Sequence, residues 1–232
     1  MIKKIFAHTR FHAQHERLST YHLFSFADYY DPENMNFGPL RVFNDDTIDG
    51  NSGFGPHGHR DMEIVTIVLQ GELTHKDSMG NVGVIKAGEV QYMSAGTGVT
   101  HAEMNAKDES VHLYQIWIAP NEKGLQPLYA QKDFSAISNK NILLPVISDV
   151  PSDGTLHIRS AATIYTSLLE ISQSVKCSMG ENQGVFMYVT SGELLVNDVI
   201  CQAGDQLRIE GEDSLVITAN ETAQFVLIQV AL

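Results

Sequence analysis

The sequence predicts an all-β fold built from two β-barrels. Between Glu63 and Ile118, short segments with strand-like alternation are separated by glycine-rich turns, and helical periodicity is nearly absent. The segment EIVTIVLQGEL, from Glu63, is followed by a turn from Ser78 to Asn81 whose residue types are those of a hairpin. A chain of 232 residues is long enough for two domains of about 100 residues each.

The second half of the chain repeats the first in outline. GVFMYVTSGELLVND, from Gly184, resembles EIVTIVLQGELTHKD, and AGDQLRIEGEDSLVITAN, from Ala203, resembles AGEVQYMSAGTGVTHAEMN. Two matched blocks in the same order favour a duplicated barrel, although matches as short as Gly-Glu-Leu also arise by chance. A turn-rich connector from Pro120 to Phe134 separates the copies. We therefore predict an N-terminal domain of residues 1–135 and a C-terminal domain of residues 136–232.

The first fifty residues lack clean periodicity. Only LRVFNDDTI, from Leu40, alternates well enough to predict a strand. The preceding stretch is rich in aromatic residues and contains turn signals at Asp31-Pro32 and at Gly38. We expect an irregular segment whose aromatic side chains pack against a barrel end, with the lining of a pocket as the alternative.

Charge and composition exclude several classes of function. The chain has 15 Lys and Arg against 28 Asp and Glu, a formal net charge of -13, which disfavours direct contact with nucleic acid or anionic membranes. No apolar run approaches the roughly 20 residues that span a bilayer, and the N-terminus lacks the features of a secretory signal. We expect a cytoplasmic protein in which Cys177 and Cys201 are buried reduced thiols, in preference to a disulfide or redox pair.

Two short stretches about forty residues apart carry the candidate metal ligands. His57-x-His59 and His101-x-Glu103 each place two donors on one face of a strand, because side chains alternate with period two. Two such strands that meet inside a barrel could surround one metal ion. Glu63 lies four residues after His59 and Glu103 two after His101, so alternation alone leaves both carboxylates as candidates.

Imidazole nitrogen and carboxylate oxygen suit iron, manganese, cobalt, nickel, copper or zinc and single out none of them. Four protein ligands leave one or two coordination positions for a substrate oxygen or dioxygen. No cysteine lies near these stretches, which argues against a closed structural zinc site. The other histidines lack ligand spacing: we expect structural or exposed roles for His75 and His112, and solvated side chains for His8, His12, His15 and His22.

The donor stretches resemble a known family. GPHGHRDMEIVTIVLQGEL, with a downstream Gly-x-Gly-x-x-His, resembles the paired motifs of the cupin superfamily. The fuller string, with DSMGN, AGEV, MSAGTGVTHAEMN and LYQIWI, is similar to the pirin family, and within it to bacterial pirin-like proteins that cleave quercetin. TYHLFSFADYYDP also fits, so the resemblance covers the whole N-terminal domain and, more weakly, the rest. It implies a bicupin, two β-barrels facing each other, with metal only in the N-terminal one.

The resemblance also implies a ligand set. The family pattern falls on His57, His59, His101 and Glu103, and it makes Glu63 a neighbouring or core-facing carboxylate. The implied cofactor is one divalent transition metal, with iron favoured over nickel, cobalt, manganese, copper and zinc. One departure from the general cupin motif is Gly96, where proline is usual, although pirins commonly lack that proline.

The implied function is a metal-dependent dioxygenase that resembles quercetin 2,3-dioxygenase. A flavonol would bind through its 3-hydroxyl, Glu103 (or Glu63) would accept the proton, and dioxygen would open the central ring with release of carbon monoxide. The partners implied are therefore a polyphenol and dioxygen. Two alternatives remain open: a non-enzymatic, redox-sensing regulator that binds a protein partner through its metal state, and a dioxygenase of another enol-type substrate.

Overall fold

The computed structural model describes residues 1–232, and the chain forms 22 β-strands and one 3-10 turn, Ala7–Thr9. No helix is long and apolar enough to cross a lipid bilayer, and the cytoplasmic compartment stays a prediction. The strands of the first half are β1 (Ile2–Ile5), β2 (Phe11–His15), β3 (Leu18–His22), β4 (Leu40–Ile48), β5 (Ser52–His59), β6 (Glu63–Gln70), β7 (Glu72–Asp77), β8 (Val82–Lys86), β9 (Glu89–Ser94), β10 (Val99–Asn105), β11 (Val111–Ile118) and β12 (Leu128–Asp133). Those of the second half are β13 (Leu144–Ser148), β14 (Leu156–His157), β15 (Ala162–Leu169), β16 (Ser174–Ser178), β17 (Gln183–Ser191), β18 (Glu193–Val196), β19 (Val199–Gln202), β20 (Gln206–Glu210), β21 (Ser214–Ala219) and β22 (Ala223–Ala231).

Each half of the chain forms a barrel from one seven-stranded and one four-stranded sheet. In the N-terminal barrel the strand orders are β12-β9-β6-β11-β4-β3-β2 and β5-β10-β7-β8. In the C-terminal barrel they are β1-β20-β17-β22-β15-β13-β14 and β16-β21-β18-β19. The repeated blocks occupy equivalent positions, since β9-β6-β11-β4 in one sheet corresponds to β20-β17-β22-β15 in the other. The predicted all-β, two-barrel fold is confirmed.

The first strand of the chain belongs to the second barrel. β1 pairs with β20 in register from Ile2 opposite Ile209 to Ile5 opposite Gln206. β12, at residues 128–133, completes the edge of the N-terminal seven-stranded sheet through β9. The domain boundary near residue 136 stays a prediction, but β1 attaches the start of the chain to the sheet built by its end.

The expectation of an irregular N-terminus was wrong for residues 2–22, which form β1, β2 and β3. β2 is the edge strand of its sheet, and four of its five residues are exposed. An edge strand exposed on both faces has no hydrophobic period, so the pattern could not reveal it. The strand predicted from Leu40 is confirmed as β4. The aromatic residues serve both expected roles, since Phe24 packs in the core and Phe26 lines a cavity.

The largest apolar cluster lies between the two barrels, where the outer faces of the seven-stranded sheets meet. Its 24 buried residues include Phe43 and Tyr114 from the first barrel and Phe186 and Tyr188 from the second. The ring centroid of Phe43 lies 5.0 Å from that of Tyr114 and 5.2 Å from each of the other two. This shared core holds the barrels face to face.

The interiors of the two barrels differ in polarity. The C-terminal barrel is filled by a cluster of 17 buried apolar residues, and β21 contributes Leu215, Ile217 and Ala219 to it. Cys177 and Cys201 are free and buried in the same cluster, as predicted, and burial raises the pKa of Cys201 to about 11. The C-terminal barrel therefore offers neither polar ligands nor reactive thiols, because its interior is apolar and its cysteines stay protonated.

Gly96, in the turn between β9 and β10, should not tolerate a side chain. Its φ is +44°, and a Cβ atom there would lie 1.9 Å from the carbonyl oxygen of Leu125. The same φ excludes proline, whose ring requires about -65°. We expect Gly96→Ala to lower the free energy of unfolding by at least about 2 kcal/mol. Urea denaturation measures this, and Gly154→Ala, at an uncrowded glycine without positive φ, is the control. Equal stability of the two variants would contradict the expectation.

Candidate metal centre

A layer of polar side chains crosses the interior of the N-terminal barrel. Apolar clusters close it on both sides, one containing Ile64, Met93 and Val99 and the other containing Ile48, Leu73 and Val111. The buried polar residues of this layer come from six strands: Asn44, Asp46, Thr66, His75, Gln91, His101, Glu103 and Gln115. The layer occupies the position that apolar residues fill in the other barrel, so the polar chemistry of the molecule is concentrated here.

Three histidines converge at one end of this layer. β10 pairs with β5 so that His101 lies directly opposite His57, and His59 lies opposite Val99. The ring centroids are 4.4 Å apart for His57 and His101, 4.8 Å for His59 and His101, and 4.9 Å for His57 and His59. One ring nitrogen of each lies within 4.8 Å of the others. The structure thus brings together the three imidazoles that the spacing singled out.

The protonation of His59 and His101, and the hydrogen bonding of all three imidazoles, fit a transition metal. Neither nitrogen of the buried His101 has a hydrogen-bond partner in the chain. Burial, together with the neighbouring imidazoles, lowers the pKa of His101 to about 3 and that of His59 to about 4. His57 donates from Nδ1 to the carbonyl oxygen of Gly55 at 2.8 Å, which leaves its Nε2 lone pair free. Clustered neutral imidazoles with free lone pairs are the donors that a divalent transition metal takes.

Glu103 is buried and belongs to a second group of candidate donors, with His75 and His101, whose donor atoms lie within 4.8 Å of one another. A register shift in the β10–β5 pairing separates the two residues, and the β10–β7 pairing sets Glu103 opposite His75. Gln115 Nε2 donates to its carboxylate at 2.9 Å, and the Thr66 hydroxyl oxygen lies 3.5 Å from it. Burial and then repulsion from Asp46 raise the pKa of Glu103 to about 7. This carboxylate is placed next to the imidazole cluster, and its assignment as fourth ligand stays a prediction.

Glu63 faces away from the imidazoles. The parity argument assumed one extended strand from His59 to Glu63, but β5 ends at His59 and the chain turns at Asp61, whose φ is +49°. The Glu63 carboxylate accepts hydrogen bonds from the Tyr92 hydroxyl and from Ser94 Oγ, the latter at 2.8 Å. Tyr92 belongs to the core between the barrels. Glu63 is therefore a buried structural carboxylate on the other face of the sheet.

Two other histidines lie closer to the site than the sequence indicated. His75, expected to be structural or exposed, is fully buried: Nε2 donates to Asp77 at 3.1 Å and Nδ1 accepts from Gln91 at 2.9 Å. His22, expected to be solvated, is buried and donates from Nδ1 to Asn44 Oδ1 at 2.9 Å. The expectation for His22 was wrong because the β3–β4 pairing places it opposite Asn44. The expected exposure is confirmed for His8, His12 and His15, and the half-buried His112 is tied to Asp45 at 2.6 Å.

A cavity of about 490 Å³ leads to the imidazole cluster. Phe26, Phe54 and Trp117 supply its aromatic walls, and the ring centroid of Trp117 lies 4.8 Å from that of His59. Sequence reasoning missed the polar wall, formed by Asn44, Asp46 and Gln115. Burial raises the pKa of Asp46 to about 7. These residues lie on β4 and β11, far in sequence from the donor stretches, and only the alternation of NDDTI hinted at an inward face.

The two carboxylates can be distinguished by substitution. We expect Glu103→Gln to weaken metal binding by about tenfold or more, because an amide is a poorer ligand than a carboxylate. Glu63→Gln should leave metal content unchanged and lower stability instead, since it removes a charged acceptor from two buried hydroxyls. Metal analysis and thermal denaturation of both variants check this. Loss of metal in Glu63→Gln alone would reverse the assignment.

Comparisons with known proteins agree with this architecture. Residues 5–118 match the family model "Pirin", and residues 145–230 match "Quercetinase C-terminal cupin domain". The chain is 44% identical over 223 residues to quercetin 2,3-dioxygenase of Escherichia coli (strain K12), covering 95% of each chain. It is 40% identical over 220 residues to a pirin-like protein of Caulobacter vibrioides, covering 94% of this chain and 95% of the relative.

A solved structure matches the whole fold. The crystal structure of the bacterial pirin YhhW from Escherichia coli in complex with nickel(II) superposes with a TM-score of 0.94 at 39% identity, covering all of this chain and 99% of the other. The bicupin arrangement implied by the resemblance is thereby confirmed. Family models on both halves, relatives at this identity over nearly the full length and one shared fold lead to a single conclusion: the chain belongs to the pirin family of the cupin superfamily.

Proposed function

We propose that this pirin is a metal-dependent dioxygenase of the quercetin 2,3-dioxygenase type, which cleaves the central ring of a flavonol with dioxygen and releases carbon monoxide. One observation carries the proposal: three imidazoles, of which the buried His101 has no hydrogen-bond partner, converge beside an aromatic-walled cavity of about 490 Å³. The volume and the flat walls suit a drug-sized planar ligand. A relative named quercetin 2,3-dioxygenase, 44% identical, supports the same reaction class.

His57, His59, His101 and Glu103 hold the metal in this proposal. Iron is the favoured ion, and the nickel(II) bound to the Escherichia coli relative makes nickel the first alternative. When bound, a divalent metal supplies Lewis acidity that lowers the pKa of a coordinated hydroxyl, and an open position for a second oxygen ligand.

The protein residues position the substrate and take up its proton. Glu103 accepts the proton of the flavonol 3-hydroxyl at a carboxylate oxygen, while Gln115 holds that carboxylate in place and Thr66 holds the Gln115 amide. Phe26, Phe54 and Trp117 contact the faces and edges of the flat rings and keep water from the reacting atoms. The apolar clusters on either side of the polar layer fix the donor strands, which keeps the geometry rigid.

The test begins with metal analysis of protein purified without added metal. Oxygen uptake is then followed with a polyphenol panel that includes quercetin, with carbon monoxide measured in the headspace. We expect uptake and carbon monoxide with flavonols, and neither with the matched flavones that lack only the 3-hydroxyl. Oxygen uptake with other enols but with no flavonol would show that the substrate is a different enol. Metal binding without uptake on any enol would overturn the enzymatic proposal in favour of a metal-dependent regulator.

A further inference from the structure

One wall of the cavity carries polar side chains that the proposed metal chemistry does not use. Asn44 and Asp46 lie two residues apart on β4, so both face the barrel interior, and they are 4% and 3% exposed. Both line the cavity together with Glu103, His57 and His59. β4 belongs to the seven-stranded sheet, whereas the imidazoles lie on β5 and β10 of the four-stranded sheet. Asn44 and Asp46 therefore occupy a different wall from the imidazoles.

These two residues keep free hydrogen-bonding capacity toward the cavity. His22 Nδ1 donates to Asn44 Oδ1 at 2.9 Å, which orients the amide so that its NH₂ group remains a free donor. Thr20 is the one side chain whose hydrogen bonding lowers the pKa of the Asp46 carboxyl, which leaves that group with free acceptor capacity. Neither group is among the fully inaccessible polar atoms that lack a hydrogen-bond partner. Their free atoms are therefore accessible from the cavity that both residues line.

The neighbouring Gln115 shows the opposite condition. Its Nε2 donates to Glu103 at 2.9 Å and its Oε1 accepts from Thr66 at 3.2 Å, so its amide is used within the chain. Burying a polar group costs free energy unless the group is hydrogen-bonded. Gln115 finds its partners within the chain, whereas the amide donor of Asn44 and the carboxyl acceptor of Asp46 remain available to a ligand in the cavity.

The chemistry of the pair defines what it binds. A donor beside an acceptor matches a single hydroxyl group, which can accept from Asn44 Nδ2 and donate to Asp46. The acidic groups of Asp46 and Glu103, together with the net charge of -13, disfavour an anionic group here. The aromatic walls favour a hydroxyl carried on a flat ring.

We propose that Asn44 and Asp46 form a hydroxyl-binding subsite, which selects flat aromatic ligands that carry a hydroxyl in addition to the one directed at the imidazole cluster. The ligand class rests on the proposed function. The subsite itself rests on the unpaired donor and acceptor of β4.

Binding of two flavonols by metal-loaded protein tests the subsite. Quercetin and 3-hydroxyflavone share the 3-hydroxyl and 4-carbonyl, but only quercetin carries further hydroxyls. Trp117 is the one tryptophan of the chain and lines the cavity, so quenching of its fluorescence under anaerobic conditions reports binding without turnover. The variants are Asp46→Leu, which removes the acceptor, Asp46→Asn, which keeps an acceptor oxygen, and Asn44→Ala, which removes the donor. The control is Thr47→Val, on the opposite face of the same strand.

We expect Asp46→Leu to weaken quercetin binding about tenfold and to leave 3-hydroxyflavone binding unchanged, because only quercetin loses a hydrogen bond. Asp46→Asn should retain most of the preference for quercetin. Asn44→Ala should lose that preference, which keeps the subsite testable even where Asp46→Leu does not fold. If Asp46→Leu leaves the ratio of the two affinities unchanged, whether both stay at the wild-type value or both fall equally, the subsite proposal alone would be overturned. A wild-type protein that binds quercetin more tightly than 3-hydroxyflavone, yet consumes no oxygen, would overturn the dioxygenase proposal alone. Failure of the wild-type protein to bind either flavonol would overturn both.

Discussion

Replacing His101 with alanine is expected to remove the metal and to reduce oxygen uptake with quercetin to background. His101 is the buried member of the imidazole cluster. It belongs to both groups of candidate donors, one with His57 and His59 and the other with His75 and Glu103, and the donor atoms of each group lie within 4.8 Å of one another. Loss of the central donor leaves the others with an incomplete set, so affinity for the metal should fall by more than about 100-fold. Elemental analysis of the purified variant and an oxygen electrode measure the two effects.

The matched control is His157→Ala, because His157 lies exposed on β14 of the barrel that has no polar interior. It should keep wild-type metal content and activity. A His101→Ala variant that retains one metal per chain would overturn the ligand role of His101. One that loses the metal yet still consumes oxygen with quercetin would instead overturn the metal-dependent mechanism.

The second large effect concerns the interface between the barrels. Phe43 is fully buried, and its ring contacts Tyr114 of its own barrel and Phe186 and Tyr188 of the other. Phe43→Ala should lower the free energy of unfolding by about 3–5 kcal/mol, because the aromatic contacts are lost and neighbours from two rigid sheets cannot collapse into the space. Chemical denaturation followed by circular dichroism measures the change.

Val84→Ala serves as its control, since Val84 is 39% exposed on β8 and should change stability by less than about 0.5 kcal/mol. A loss below about 1 kcal/mol for Phe43→Ala would mean that the barrels do not depend on this shared core.

Strand alternation in the sequence was enough to predict the three histidines of the candidate site. His57, His59 and His101 could be grouped because alternation within a strand decides which side chains share a face. The same logic failed for Glu63, where a turn at Asp61 interrupts the strand and resets the parity. A pattern with period two is informative only while the chain stays extended, and residue types alone did not reveal that it turns there.

The polar wall of the cavity could not be predicted from the sequence, for a different reason. Asn44 and Asp46 approach Glu103 only because β4 and β10 lie in opposite sheets of one closed barrel. His22 is buried only because β3 pairs with β4. Such contacts join residues tens of positions apart and depend on which strands become neighbours, which no short motif records.

The sequence alone therefore determined the all-β class, the duplicated barrels and the grouping of the three imidazoles, because each follows from residue types at short spacing. The tertiary structure decided the pairing of β1 with the far end of the chain, the orientation of Glu63 toward the other barrel and the free donor and acceptor on β4. These features arise when sheets close and pack. Closure brings together side chains whose separation in sequence is set by the loops between them, and not by the period of any strand.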